Sequence, residues 1–533
     1  MEKWDYLIIG SGFGGSVCAL RLAEKGYRVL LLEQGRRLGP EDFPRSNWDL
    51  RRWMWLPALG FRGLFKMTFF RHMTVLSGVG LGGGSLVYAN TLPVPPDDFF
   101  AAPSWAALAN WKEDLAPHYQ TVRRMLGVQP NAMMEDPDKV LRAVAAKRGL
   151  LAEFEPTDVA VYFGEPEVSV PDPYFAGEGP ERQGCNGCGG CMIGCRYGAK
   201  NTLDKNYLFL AEKRGLEVHT DTQATWMRPL DAGGYEVTAR QGRSLWRRRA
   251  RTYAAQNVVL AGGVLGTVPL LLAVSQSPDG LPRLSPRLGW AVRTNSEALI
   301  GVTSRRRDVD LSRGIAIGAI VKTDAHSHLE LARYPAGSGF FRVLVGPHVR
   351  GRGMLRRLGE FVYRTIRHPL RNLRAMLVPD WAKFTTIMLY MRTLEGTLRL
   401  RFGRAWTTLW RRALVTAREA GEPPCASLPE ASSLADDVAE ELRGEPMSLI
   451  NEALLDVPTT AHILGGCCMG ASAEEGVVDH RHRVFGYDGL YVVDGSAVSA
   501  NPGVNPSLTI AALAERAMSF IPPKAERKVG DGL

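Results

Sequence analysis

Tyr6-Leu7-Ile8-Ile9-Gly10-Ser11-Gly12-Phe13-Gly14-Gly15 is a short apolar run that ends in a cluster of glycines. A helical pattern follows through Leu20, Leu22 and Ala23, and a second apolar run, Val29 to Leu32, ends on Glu33. Strand, glycine turn, helix, strand and acid in this order are the parts of a dinucleotide-binding unit. Each part has a physical task. Gly10 permits the tight turn, Gly12 lets the backbone come close to a pyrophosphate, and Gly15 lets the helix pack against the strand. The amides that open the helix, at Phe13 and Gly14, favour phosphate charge together with the positive end of the helix dipole. Glu33 is placed to accept hydrogen bonds from a ribose.

Working outward, a second glycine-rich stretch runs from Ser77 through Gly80-Leu81-Gly82-Gly83-Gly84-Ser85 to Asn90. Such a run cannot fill a core with side chains and suits backbone lying against a flat or charged ligand. Two loops of this kind in one chain point to a large dinucleotide. Val258-Val259-Leu260-Ala261-Gly262-Gly263 gives another buried strand and glycine turn, with a helix through Leu272, so the nucleotide-binding sheet resumes after a long interruption. Between them, Trp105 to Leu126 has helical periodicity, Asn206 to Arg214 reads as a helix and Leu216 to Thr220 as a strand. Near the end, His462-Ile463-Leu464-Gly465-Gly466 precedes a strand at Leu490 to Val493 and then Asp494. In Gly503-Val504-Asn505-Pro506, Asn505 suits an N-cap and Pro506 the first position of a helix over Leu508 to Met518.

At 533 residues the chain has room for two or three lobes, and 45% hydrophobic with 23% charged residues is the composition of a globular protein. The first strand begins almost at Met1 and no uncharged apolar run reaches spanning length, so a cytoplasmic location is the expectation. The net charge of +10 is not accompanied by a nucleic-acid recognition motif. Its cations lie beside large apolar residues instead. Arg51-Arg52-Trp53-Met54-Trp55 and the stretch through Phe61, Leu64, Phe65, Phe69 and Phe70 read either as a lobe over the cofactor or as a surface that docks on lipid or admits a greasy substrate. Arg350, Arg352, Arg356, Arg357, Arg364, Arg367, Arg371 and Arg374 alternate with Leu355, Leu358, Phe361, Val362, Ile366, Leu370 and Leu373. This is either an ordinary surface helix or a basic amphipathic helix that lies peripherally on a membrane.

Together these segments resemble the glucose–methanol–choline (GMC) family of FAD-dependent alcohol oxidoreductases, and within it the cholesterol-oxidase-like branch. The resemblance implies an α/β fold: a Rossmann-type FAD-binding domain with a second, α+β substrate-binding domain. The FAD-binding domain is expected from 1–95, 185–275 and 455–533, and the substrate domain from 96–184 and 276–454. By resemblance, Gly10, Gly12, Phe13, Gly14, Gly15 and Glu33 hold the ADP half of FAD. Gly82, Gly83, Ser85 and Asn90 lie along the flavin, Asp494 meets the ribityl–pyrophosphate region, and Gly503 and Val504 approach the isoalloxazine. His462 and Asn505 fall to catalysis. Alcohol oxidation needs a group to take or place the hydroxyl proton, for which histidine is suited at neutral pH, and asparagine can hold the oxygen. Glu395 is a candidate for the glutamate with which cholesterol oxidases shift a double bond.

Cys185-x2-Cys188-x2-Cys191-x3-Cys195 departs from the familiar cholesterol oxidases. Its spacing is that of a ferredoxin cluster loop with Arg196 in place of the usual proline, and a subset resembles the loop of bacterial FAD glucose dehydrogenases. An iron–sulfur cluster, a structural zinc and reduced thiols stand as three readings. The expected activity is oxidation of CH–OH to a carbonyl on a sterol or other large apolar alcohol, with electrons leaving to a redox carrier through such a cluster. Its alternatives are an O2-using oxidase, a sugar or small-alcohol dehydrogenase, and a flavin-containing, membrane-associated electron-transfer protein without alcohol chemistry.

Overall fold

The computed structural model describes residues 3–243, 248–351, 353–367, 369–370, 376–421 and 423–525. Arg352, Arg371, Leu373 and Arg374, which the sequence groups with the basic amphipathic segment, lie outside the described residues. The quoted opening folds as read: Lys3–Ile9 is a strand, Phe13–Glu24 a helix, and Val29–Leu32 the next strand, buried along its whole length. A fully apolar strand of this kind belongs inside a parallel sheet covered on both faces. Lys3–Ile9 indeed pairs in parallel with Val29–Leu32 on one edge and with the long strand Arg249–Leu260 on the other. Glu217–His219 extends the sheet beyond Val29–Leu32, and Leu490–Val492 joins the far edge of Arg249–Leu260, both in parallel. The first half of Arg249–Leu260 carries an antiparallel meander of Thr222–Pro229 and Tyr235–Gln241. The chain's start, middle and end thus share one sheet.

A second, seven-stranded sheet runs in the order Val345–Pro347, Glu445–Leu449, Ala298–Thr303, Thr385–Arg392, Ser327–Ala332, Ile317–Asp324 and Phe154–Pro156, antiparallel throughout. Helices Asp136–Lys147 and Pro429–Glu441 cover its back through Val140, Leu141, Leu434 and Val438. Its front faces the nucleotide-binding lobe. The sequence assigns 96–184 to the substrate domain, but helix Trp111–Met125 packs Trp111, Leu115, Tyr119 and Val122 into the core of the nucleotide-binding lobe. The reason is the apolar stripe of that helix, which meets helix Ser507–Ser519, where Tyr119 Oη and Thr509 Oγ1 are 3.0 Å apart. Likewise Thr397–Gly403 and Ala413–Arg418 sit beside the nucleotide lobe, with Leu398 and Leu400 in its core.

The first aromatic–basic stretch is mostly internal. Trp53 is fully buried and stacks on Phe65 at 4.6 Å, within a small core that includes Phe341 and Trp381. Among the described residues no helix is long and apolar enough to cross a membrane.

Candidate active site

One cavity of about 670 Å³ runs from the glycine turn at Gly10 to the front of the second sheet. At its nucleotide end, the conformations explain the glycines one by one. Gly10 has φ of +103°, and a side chain on Gly14 would place Cβ 1.7 Å from the Val493 carbonyl oxygen. A Cβ on Gly15 would lie 2.1 Å from the Gly10 carbonyl oxygen. Gly12 differs: a Cβ there would meet nothing within 4 Å, because the position faces the cavity. That open cradle at a helix N-terminus is what a pyrophosphate needs.

Glu33 stands in the cavity wall, where its Oε2 accepts from the Ser11 hydroxyl at 2.7 Å and its Oε1 from the Gly35 amide at 2.7 Å. Burial raises its pKa against these hydrogen bonds. Asp494 is held more fully. Its Oδ1 accepts from the Ser496 amide and hydroxyl at 2.8 and 2.6 Å, and its Oδ2 from the Thr267 hydroxyl at 2.6 Å and the Gly263 amide at 2.9 Å. Asp494 thereby ties the two glycine turns that follow the parallel strands. Gly83 and Gly84 line the cavity beside Gly12, whereas Gly82, Ser85 and Asn90 stand behind the wall. The Ser85 hydroxyl donates to the Gly82 carbonyl at 2.7 Å and fixes that turn. Asn90 is fully buried with φ of +72°, beside Cys191.

The other end of the cavity holds His462. Thr459–Thr460 pairs in parallel with Thr74–Val75, and the His462 amide donates to the Thr460 hydroxyl at 2.9 Å, so the sheet sets the position of the ring. Gly465 then turns with φ of +79° so close to the Ala291 carbonyl that a Cβ would lie 2.1 Å away, which accounts for a glycine three residues after the histidine. His462 Nδ1 is 3.0 Å from Oε2 of Glu297, a buried carboxylate whose Oε1 accepts from the Ala461 amide at 3.2 Å. Burial opposes the imidazolium, but the Glu297 charge prevails and raises the His462 pKa above its ordinary 6.5. Nε2 is left for the cavity. Sequence reasoning missed Glu297. It lies 165 residues before His462, and its only signal is an acid in front of the apolar strand Ala298–Thr303.

Asn505 lines the same cavity, and its buried Oδ1 has no partner among the described residues. The sequence makes Asn505 an N-cap. Instead the helix is Ser507–Ser519 with Pro506 at the cap, and the Asn505 side chain is left to the cavity. Gly503 and Val504 do not reach the cavity. Gly503 packs on Thr393, and the Val504 carbonyl accepts from Asn295 Nδ2 at 2.8 Å. Glu395 is also elsewhere. It is 43% exposed, accepts from the Asn501 amide at 3.0 Å and lies 3.5 Å from Arg293, so it takes no part in this site.

Cys185, Cys188, Cys191 and Cys195 do converge, on a separate narrow cavity of about 20 Å³ shared with Tyr197 and Lys200. Among the described residues, no group of three or more His, Cys, Asp or Glu is arranged to hold a metal ion. Burial keeps three of them as thiols: it pushes Cys188 up to about 12 and raises Cys185 and Cys191 as well. Buried Lys200, lowered to about 7 by desolvation, donates to the carbonyls of Leu86, Tyr88 and Cys191 at 3.1, 2.9 and 2.8 Å. Gly189 and Gly314 add amide–carbonyl bonds to the substrate lobe. The loop is a brace between the second glycine stretch and that lobe.

A glycine cradle, a ribose-side acid and a histidine–carboxylate pair around one cavity define a dinucleotide-dependent oxidoreductase, and the residues fit FAD. Comparison with known proteins agrees. GMC oxidoreductase models match residues 180–279 and 392–514, and an NAD(P)-binding Rossmann-like model matches 8–49. The chain is 44% identical over 98% of its length to a cholesterol oxidase of Acinetobacter baumannii, of which it covers 95%. It is 42% identical, over 98% of its length and 92% of the relative, to a cholesterol oxidase of Mycobacterium tuberculosis. Pyridoxine 4-oxidase from Mesorbium loti has the same fold, with a TM-score of 0.61 over 97% of this chain and 99% of that one at 16% identity. The chain belongs to the GMC oxidoreductase family and is an FAD-dependent enzyme that acts on CH–OH groups.

Proposed function

We propose that the chain oxidises a sterol-like secondary alcohol to its ketone and delivers the electrons to O2. The carbinol carbon gives up a hydride and its hydroxyl a proton as the C=O bond forms, and O2 takes up the two electrons and two protons to become hydrogen peroxide. The observation that carries this reading is the position of the His462–Glu297 pair in the wall of an apolar chamber that continues into the glycine cradle. Phe65, Leu299, Phe341, Trp381, Ile387, Leu389, Met447 and Leu449 line the chamber. Such walls favour a large hydrocarbon body and offer a sugar few hydrogen-bond partners. The two cholesterol oxidases that resemble the chain over nearly its whole length support both substrate and acceptor. Bound FAD supplies the hydride acceptor. Glu297 holds the Nδ1 proton of neutral His462, which leaves the Nε2 lone pair to take the hydroxyl proton. Asn505 presents its amide to the same oxygen and restricts its orientation. The test is aerobic turnover of a 3β-hydroxysteroid, with ketone and peroxide expected in equal amounts. Equal turnover of glucose, or ketone without peroxide, would contradict the proposal.

The ion pair also fixes a pH dependence. Neutral His462 is the reactive form, so flavin reduction rises with pH through the His462 pKa, which lies above 6.5. Glu297→Gln removes the charge that raises it. The half-maximal pH should then fall, and stopped-flow reduction from about pH 5 to about pH 9 measures it. An unmoved inflection would assign the titration to another group.

A further inference from the structure

Helix Met354–Arg367 is mounted the wrong way round for a surface helix. An ordinary one turns its apolar stripe to the core and its charges to water. Here Arg357, 2% exposed, faces inward and donates to the carbonyls of Ala453, Glu452 and Gly351. Phe361 packs on Gly346, where an added Cβ would lie 2.6 Å from the ring, and Arg364 bonds Glu360. At about 100° per residue, Met354, Leu358, Val362, Leu355, Ile366 and Tyr363 then occupy the opposite half of the helix. They are 63, 47, 46, 80, 73 and 64% exposed. Exposed Arg356 and Arg367 stand along the rim of that face.

We propose that this face docks on a lipid bilayer bearing anionic headgroups. An interfacial helix buries an apolar face at the headgroup boundary and keeps its cations among the phosphates. The helix carries four arginines and one glutamate, which is the charge such a surface attracts. Its place in the fold adds a reason. Val345, beside the Gly346 that Phe361 covers, lines the apolar chamber, so the docked helix sets the chamber against the phase in which an apolar alcohol dissolves. This second reason rests on the proposed substrate; the first does not. A second copy of the chain is a poor occupant. A 14-residue helix is about 21 Å long and offers on the order of 200 Å², against about 800 Å² per partner in a stable interface.

The test is co-sedimentation of holoenzyme with sterol-free vesicles of phosphatidylcholine alone or with about 30% phosphatidylglycerol. The wild type should bind the anionic vesicles, and L355E/I366E should lower the partition coefficient by about tenfold or more, with turnover of detergent-dispersed alcohol unchanged. R356E/R367E should abolish the preference for anionic over neutral vesicles. No binding by the wild type, equal binding by L355E/I366E, or a dimer that this variant dissociates would each overturn the proposal. Because the vesicles contain no sterol, failure of the steroid reading leaves this outcome unaffected.

Discussion

His462→Gln slows reduction of bound FAD by an alcohol by roughly 10²–10⁴-fold, the range associated with losing a positioned proton acceptor. FAD content should not change, because the ring is tied to Glu297 and not to the glycine cradle. Glutamine occupies similar space but has no group that takes up a proton near neutral pH. The comparison to make is anaerobic single-turnover reduction, which separates chemistry from substrate entry and reoxidation. A wild-type rate in the variant would remove His462 from the chemistry and leave Asn505 as the residue to examine.

The two glycines Gly12 and Gly14 should fail in opposite ways. Gly14→Ala drives a Cβ to within 1.7 Å of the Val493 backbone carbonyl oxygen, where no side-chain rotation relieves the overlap. The expected loss is about 3 kcal/mol or more, a large share of a typical folding free energy, and it is read as a lowered urea midpoint. Gly12→Val meets no protein atom near its Cβ and should fold as the wild type does. It nevertheless fills the cradle, so FAD affinity should fall by roughly 10²-fold through lost phosphate–amide hydrogen bonds. Apoprotein stability and flavin titration, measured on both variants, distinguish a packing glycine from a ligand glycine. If Gly12→Val keeps its flavin, the pyrophosphate lies elsewhere.

The nucleotide-binding unit was legible because its signals are local. Gly10, Gly12, Gly15 and Glu33 lie within one strand–helix–strand unit, and each conformation they need is one that the sequence announces. His462 was legible for a related reason: the double glycine beside it marks a turn that only glycine fits. Glu297 was not, since its partnership with His462 is created by two sheets that meet in space and by no spacing along the chain. Asn505 was found by resemblance for catalysis and by local pattern for a capping role, and the fold does not use the second. The cysteine spacing describes a ligand loop, and the fold also uses that loop as a fastening through Lys200 and the backbone amides, which no spacing along the chain announces. Helical periodicity likewise found the two faces of Met354–Arg367, but only tertiary packing could say which one meets water.

The strand Arg249–Leu260 lies between Lys3–Ile9 and Leu490–Val492. On a ribosome that makes the chain from its amino terminus, the glycine turn therefore emerges long before the strand and Asp494 that complete its walls. Until then the nascent chain has an open sheet edge and no finished pocket, so cofactor capture waits until Leu490–Val492 and Asp494 have been made. Riboflavin-starved cells should accordingly accumulate full-length, protease-sensitive apoprotein, with no shortage of synthesis.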